Sequence, residues 1–342
     1  MTTGEGFAWL IFLIIMNLLF FAAFGSQNIN EKSIEEYIDS LRDAVDYYDG
    51  EVKIDFTIVT NQDLEKVLDK ISIDDIKVKI EKHITIIEWG CKEKTKVFIN
   101  VKTKITDKLV TIADYRREFN EKYCEKVDVL VWGESDAILP KQMFTVLDNL
   151  HQMSLHNNNP KYLAFFGTCK MWDQSWELLE HPDFTVKPHI DNDYDNWWSL
   201  KYTMTKEEMN KINEKTEDLE VLIAPQHKFN GCGLVISSEV IKSGVNIPSS
   251  VFFVHEDTSF MLMTQKILGN IPQYVIKNIL LVHNRNHPKK RMYIKGERKD
   301  GTMNQKRRSN DWYVKANKMS EQNCYNIFNP NYKSFKWEDV WK

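Results

Sequence analysis

Glu134 and Asp136 are separated by one residue and follow directly on an apolar run, Val127-Asp-Val-Leu-Val-Trp-Gly-Glu-Ser-Asp-Ala-Ile-Leu-Pro140. In extended backbone, residues two apart point the same way, so both carboxylates can reach one hard cation. No Lys or Arg stands beside them in the chain to neutralise them. A second acidic pair, Glu256-Asp257, sits inside Phe252-Phe-Val-His-Glu-Asp-Thr-Ser-Phe-Met-Leu-Met263, where an apolar stretch, read as a strand over Val251 to Val254, turns into a helical pattern. A carboxylate there can take the proton of a hydroxyl that is becoming a nucleophile. It can also simply favour a helix start through the macrodipole. Between the pairs lies Phe229-Asn-Gly-Cys-Gly-Leu-Val-Ile-Ser-Ser-Glu-Val240, whose Gly231 and Gly233 let backbone approach a ligand closely. After them comes Leu281-Val-His-Asn-Arg-Asn-His-Pro288, in which His283 follows an apolar strand and His287 competes with it.

The elements that would position these groups alternate strand and helix. Glu31 to Tyr48 has apolar residues Ile34, Tyr37, Ile38, Leu41 and Val45 at helical spacing. Asp55 to Thr60 reads as a buried strand, Gln62 to Lys70 as a helix, His83 to Glu88 and Lys96 to Val101 as strands, Thr111 to Cys124 as a helix, Val127 to Trp132 as a strand and Met143 to His156 as a helix. This order predicts an α/β domain with a mostly parallel sheet flanked by helices, whose ligands bind beyond the carboxyl ends of the strands.

Taken together and in this order, the segments resemble the GT-A glycosyltransferases, in particular inverting enzymes of the family 2 type. The resemblance runs from about Asp55 to His287. It implies a GT-A-like, Rossmann-like fold that transfers a sugar from a nucleotide-sugar donor to a glycan or other hydroxyl acceptor. The acidic triplet corresponds to the family's Asp-x-Asp motif, with Glu in the first place. The resemblance assigns Glu134, Asp136 and His283 to Mn²⁺ or Mg²⁺, and makes Asp257 the base with Glu256 as the alternate. It places Thr60 and Glu88 at strand ends that meet the nucleoside. Arg116 and Arg117, within Tyr115-Arg-Arg-Glu-Phe-Asn120, fall at the donor's phosphates, and Gly231 and Gly233 on the acceptor side. Trp172, Trp176, Trp197 and Trp198 suit an acceptor-binding wall. Asp191-Asn-Asp-Tyr-Asp195 begins like a calcium loop but lacks its glycine and its closing acid. The alternatives are a nucleotidyltransferase of related fold and a catalytically inactive, membrane-anchored carbohydrate-binding protein.

A net charge of −4 over 342 residues, with basic residues gathered only near Lys289 to Arg308, excludes a nucleic-acid-binding polycation. Five widely spaced cysteines without a Cys-x-x-Cys point to reduced, buried thiols rather than a disulfide framework. Phe7 to Gly25 is nearly all apolar and, at about 1.5 Å per residue, just long enough to span a bilayer as a helix. The alternatives for it are a signal peptide cleaved after Ala23-Phe24-Gly25 and a core helix. With Lys32 the first positive residue, the expectation is a single-pass N-terminal anchor with the catalytic domain facing the cytosol. The expected organisation is a hydrophobic anchor over 1–30, a stalk or first helix over 31–50, the catalytic domain over 51–295, and a basic and aromatic tail over 296–342.

Overall fold

A computed structural model of the chain describes residues 18–21, 31–49, 52–60, 76–81, 84–89, 97–105, 111–134, 137–169, 178–184, 204–224, 231–283 and 311–342. The first half runs β1 (Leu18–Phe21), α1 (Glu31–Tyr47), β2 (Val52–Thr60), β3 (Ile76–Glu81), β4 (Ile84–Trp89), β5 (Val97–Ile105), α2 (Ile112–Tyr123), β6 (Val129–Trp132) and β7 (Ala137–Ile138). It continues through α3 (Met143–His156), β8 (Leu163–Gly167), α4 (Lys206–Asn213), β9 (Val221–Ile223), β10 (Leu234–Ser237) and α5 (Ser238–Lys242). The last elements are α6 (Glu256–Leu268), β11 (Gln273–Leu280), β12 (Val282–His283), α7 (Asp311–Tyr325) and a 3-10 helix at Trp337–Trp341.

Among the described residues, ten strands form one sheet in the order β3-β4-β5-β2-β1-β6-β10-β8-β11-β9. Strands β4, β10 and β9 run against the rest, so the sheet is mixed but mostly parallel in direction. Strands β6, β8 and β10 are buried along their whole length. They read as unbroken apolar runs because both faces of a mostly parallel sheet are covered. One face packs on α1 and α3 through Tyr37, Leu41, Val45, Phe144, Leu147 and Leu150. The other packs on α2 and α6 through Phe119, Tyr123, Phe260 and Met261.

The expected N-terminal anchor is overturned. Leu18–Phe21 is a strand, paired parallel with β2 on one side (Leu18 to Val52) and with β6 on the other (Leu18 to Val129). Its backbone groups are satisfied by neighbouring strands, not by a helix of its own. A continuous apolar run fits a membrane helix and a central parallel strand equally well, and here the sheet takes it. No helix among the described residues is long and apolar enough to cross a membrane. A single-pass anchor holding a cytosol-facing domain therefore has no support; residues 7–17 and 22–25 lie outside the described residues.

Other expectations fare differently. Helix α1 buries Tyr37, Leu41, Ala44 and Val45 completely, so it belongs to the same core as the elements after residue 51. Val251 to Val254 is a bend and not a strand. The helix expected at Gln62 to Lys70 lies outside the described residues. The described cysteines, Cys124, Cys169, Cys232 and Cys324, are buried, as expected.

Candidate active site

Four of the segments singled out by their chemistry meet at one side chain, Arg116. It stands on α2, a helix opened by a capping box between Thr111 and Asp114. The helical period puts Ala113, Arg116, Asn120 and Tyr123 on one buried stripe, and Arg116 itself is fully buried. Its Nη1 donates to Glu256 Oε1 at 2.6 Å, and its Nη2 donates to Glu134 Oε1 at 3.2 Å and to the Gly231 carbonyl at 2.9 Å. The guanidinium carbon lies 4.9 Å from the centre of the Trp132 ring. Trp132 is held in turn by its indole N–H to Asn120 Oδ1, 3.0 Å, and by Phe260. Burial works against the cation, but Glu256 and Glu134 outweigh it and leave Arg116 more firmly protonated than usual.

Glu134 is therefore not without a basic partner: the sequence neighbours supply none, and α2 supplies Arg116 across the sheet end. The other oxygen, Oε2, lies 3.1 Å from His283 Nε2. His283 reaches this point through β12, which pairs antiparallel with β7 so that His283 stands opposite Ala137, the residue after Asp136. Asp136 itself lies outside the described residues. Glu134, His283 and the Cys232 thiol each present a ligand atom, all within 4.8 Å of one another.

The glycines serve this cluster. A Cβ on Gly231 would lie 1.9 Å from Arg116 Nη1, so the absent side chain makes room for the guanidinium. Gly233 has φ +79°, the left-handed region, and its N–H donates to the Trp132 carbonyl at 2.8 Å. Gly231 was expected to admit a ligand and instead admits Arg116. Gly231→Ala should push the fork off its partners and destabilise the fold by about 1–3 kcal/mol, read as a lower urea midpoint. An unchanged midpoint would show that Arg116 does not depend on that space.

Glu256 and Asp257 open α6, where the helix dipole favours negative charge. The preceding residue, His255, has φ 70°, an uncommon conformation for a side-chain-bearing residue and one that re-aims the chain into the helix. That turn is held from the C-terminal helix α7. His255 Nε2 meets Asn317 Oδ1 at 3.1 Å, Ser320 Oγ donates to the Val254 carbonyl at 2.6 Å, and Asn323 Nδ2 donates to the Ser250 carbonyl at 2.7 Å. The segment expected as a tail thus supports the acidic pair, a role that its composition does not signal.

The two acids differ in surroundings. Glu256 is buried and tied to Arg116. Asp257 is half-buried; its Oδ1 accepts from the Thr258 N–H at 2.7 Å, and no described residue bonds its Oδ2. Burial, with Asp257 beside it, pushes the Glu256 carboxyl up despite Arg116. Burial also raises Asp257, against the Thr258 N–H and Arg116. The contact of 2.6 Å ties Glu256 to Arg116, whereas Asp257 keeps an oxygen that no described residue bonds.

Arg117 does not join the cluster. Its Nε and Nη2 donate to the carbonyls of Ile247, Pro248 and Val251, and its Nη1 to Asp114 Oδ1 at 3.1 Å. It clamps the loop before the acidic pair with its Nε and both Nη groups, while the two Nη groups of Arg116 are engaged by Glu256, Glu134 and the Gly231 carbonyl. Neither arginine stands free for a phosphate as expected. Thr60 ends β2 and Glu88 lies on β4 opposite Lys77 of β3; both strands are described by their backbone. Trp172, Trp176, Trp197, Trp198, the Asp191 to Asp195 cluster and His287 lie outside the described residues.

No family model matches the chain, and no curated protein matches it. Solved structures align with it in fold. One is S. aureus TarS 1-349, with a TM-score of 0.41 and 9% identity, covering 95% of this chain and 78% of that one. Another is the M. tuberculosis glucosyl-3-phosphoglycerate synthase, with a TM-score of 0.39 and 14% identity, covering 80% and 74%. A third is the 4-diphosphocytidyl-2C-methyl-D-erythritol synthase of Anaerococcus prevotii, with a TM-score of 0.37 and 9% identity, covering 82% and 97%. The functional reading rests on this chain's own site.

Proposed function

We propose that the chain transfers a sugar from a nucleotide-sugar donor to an acceptor hydroxyl, with inversion at the anomeric carbon. The observation that carries this reading is the convergence on Arg116. It joins Glu134 after β6, the Gly231 turn before β10 and Glu256 at the start of α6, and leaves Asp257 beside them with an open oxygen. Bland alternatives, a solvated acidic turn and a dipole-favoured helix start, explain each acid singly but not their meeting around one buried cation.

In this reading Asp257 takes the proton of the acceptor hydroxyl as that oxygen attacks the anomeric carbon, while the bond to the nucleoside diphosphate breaks on the opposite face. A raised carboxyl suits a base, because its affinity for a proton lies closer to working pH. Glu256 holds Arg116, and Arg116 in turn holds Glu134. The donor set fits a divalent cation. Among the described residues, Glu134 and His283 together offer oxygen and nitrogen, with Oε2 and Nε2 3.1 Å apart. Glu134, Asp136 and His283 would hold Mn²⁺ or Mg²⁺, which when bound neutralises charge gathering on the leaving diphosphate.

Incubating the purified chain with UDP-, GDP- and CMP-sugars in the presence of Mn²⁺ should give slow donor hydrolysis and a raised melting temperature with one nucleotide class. If no donor is turned over and none shifts the melting temperature, the reading is lost.

A further inference from the structure

Cys232 takes no part in the chemistry described so far, yet its sulfur lies in the same cluster as Glu134 and His283, with all three ligand atoms inside 4.8 Å. We propose that Cys232 is a metal ligand, and that Glu134, Cys232 and His283 make a mixed oxygen, sulfur and nitrogen site for a borderline divalent cation such as Zn²⁺ or Co²⁺. The proposal rests on reading Glu134 and His283 as ligands and adds a third donor of different chemistry.

Three features of the fold support it. The first is construction. Cys232 lies between Gly231, pinned by Arg116 through its carbonyl, and Gly233, pinned to the Trp132 carbonyl. The thiol is thereby fixed on a rigid turn beside the end of β6, while β12 brings His283 from the other direction. Such placement on braced elements gives the reproducible spacing that a metal site needs. The second is burial. Cys232 is 3% exposed and belongs to the same core cluster as Tyr37, Leu139 and Leu281, so the thiol stands at the edge of the apolar core. Low-polarity surroundings strengthen cation–thiolate attraction. The third is ligand chemistry. Carboxylate oxygens alone suit Mg²⁺ or Mn²⁺, whereas a thiolate and an imidazole shift preference towards Zn²⁺ and Co²⁺.

Binding is an exchange without redox change. The Cys232 thiol releases its proton to solvent, the sulfur lone pair goes to the cation, and the 3.1 Å contact between His283 Nε2 and Glu134 Oε2 opens as both atoms turn to the metal. Of these three donors, the thiolate and the Glu134 carboxylate offset the cation's charge, and neutral His283 adds none. Arg116 stays on the other oxygen of Glu134 and keeps that carboxylate oriented.

Co²⁺ is the probe, because its bond to a thiolate gives a near-ultraviolet charge-transfer band. Under reducing conditions the full chain should develop that band on titration with Co²⁺ and release protons. Cys232→Ser should lose the band and bind Co²⁺ at least about tenfold more weakly, a loss no smaller than that of an outer-shell partner, with an unchanged far-ultraviolet circular dichroism spectrum. Glu134→Gln should weaken binding but keep the band. A band that persists in Cys232→Ser belongs to another cysteine and overturns the proposal, as does a wild type that does not bind Co²⁺. Co²⁺ binding without the band, together with donor turnover, overturns the role of Cys232 and leaves the glycosyltransferase reading standing. The band without turnover of any donor supports the metal site and removes the glycosyltransferase reading.

Discussion

Asp257→Asn is expected to cut sugar transfer by about 10²–10⁴-fold, the usual contribution of a positioned base, while making the protein harder to unfold as pH rises. Asn is nearly isosteric and its Oδ1 can still accept the Thr258 N–H, so α6 should start as before. What is lost is the ability to take a proton. Donor affinity should change little, because Glu134 and His283 are untouched. The stability effect follows from the direction of the shift. Burial raises the Asp257 carboxyl above its ordinary 3.8, so the folded chain holds that proton more firmly than the unfolded chain. The stability associated with the group is therefore full below about 3.8 and is lost as pH climbs through the raised value. Asn never ionises and escapes that loss. Melting temperatures of the two proteins should converge in acid and separate with increasing pH, the variant being higher. A fully active Asp257→Asn enzyme would move the base elsewhere. A variant less stable at every pH would mean that Asp257 is anchored by contacts that Asn cannot reproduce.

Much of the site could be read from residue order, and the gaps have physical causes. Glu134, Gly231, Gly233, Glu256, Asp257 and His283 stand in the chain as separate short motifs, each with an ordinary explanation. Their meeting is a property of the sheet: β6 and β10 are neighbours, and β12 folds back onto β7. The role of Arg116 was harder to see, since two adjacent arginines on a helix look like solvated charge. The signal was the period. Arg116 falls on the stripe of Ala113, Phe119 and Asn120, and a charge on a buried stripe needs a carboxylate to meet it. The apolar run at Leu18–Phe21 misled because composition cannot separate a membrane helix from the middle strand of a parallel sheet. Val251 to Val254 looked like a strand, but the Ile247, Pro248 and Val251 carbonyls are bonded by Arg117, which bends the chain there. The support of the acidic pair by Asn317, Ser320 and Asn323 had no local signature at all, since it depends on where α7 packs.

Removing the Arg116 fork should have the largest effect on stability. Arg116→Met keeps much of the volume but leaves Glu134 and Glu256 facing each other without their shared cation, and strips the Gly231 carbonyl of its donor. Breaking one side of a buried ion pair costs about 3–5 kcal/mol, and the loss should appear as a lower urea midpoint. Arg116→Lys keeps the charge, but an ammonium on a flexible stem cannot reach three acceptors in one plane, so it should recover only part of the loss. The pH dependence separates charge from packing. Arg116 lowers both Glu256 and Asp257, so without it their carboxyls rise further and the folded state favours their protonated forms more strongly. The penalty in Arg116→Met is then greatest in alkali, where the carboxylates must stay charged, and shrinks as pH falls and they take up protons. Adding Glu256→Gln to Arg116→Met should restore part of the stability near neutral pH, because one uncompensated charge is removed. A deficit equal at every pH and untouched by Glu256→Gln would show that Arg116 matters by filling space against Trp132 and Gly231, and that the acids do not depend on its charge.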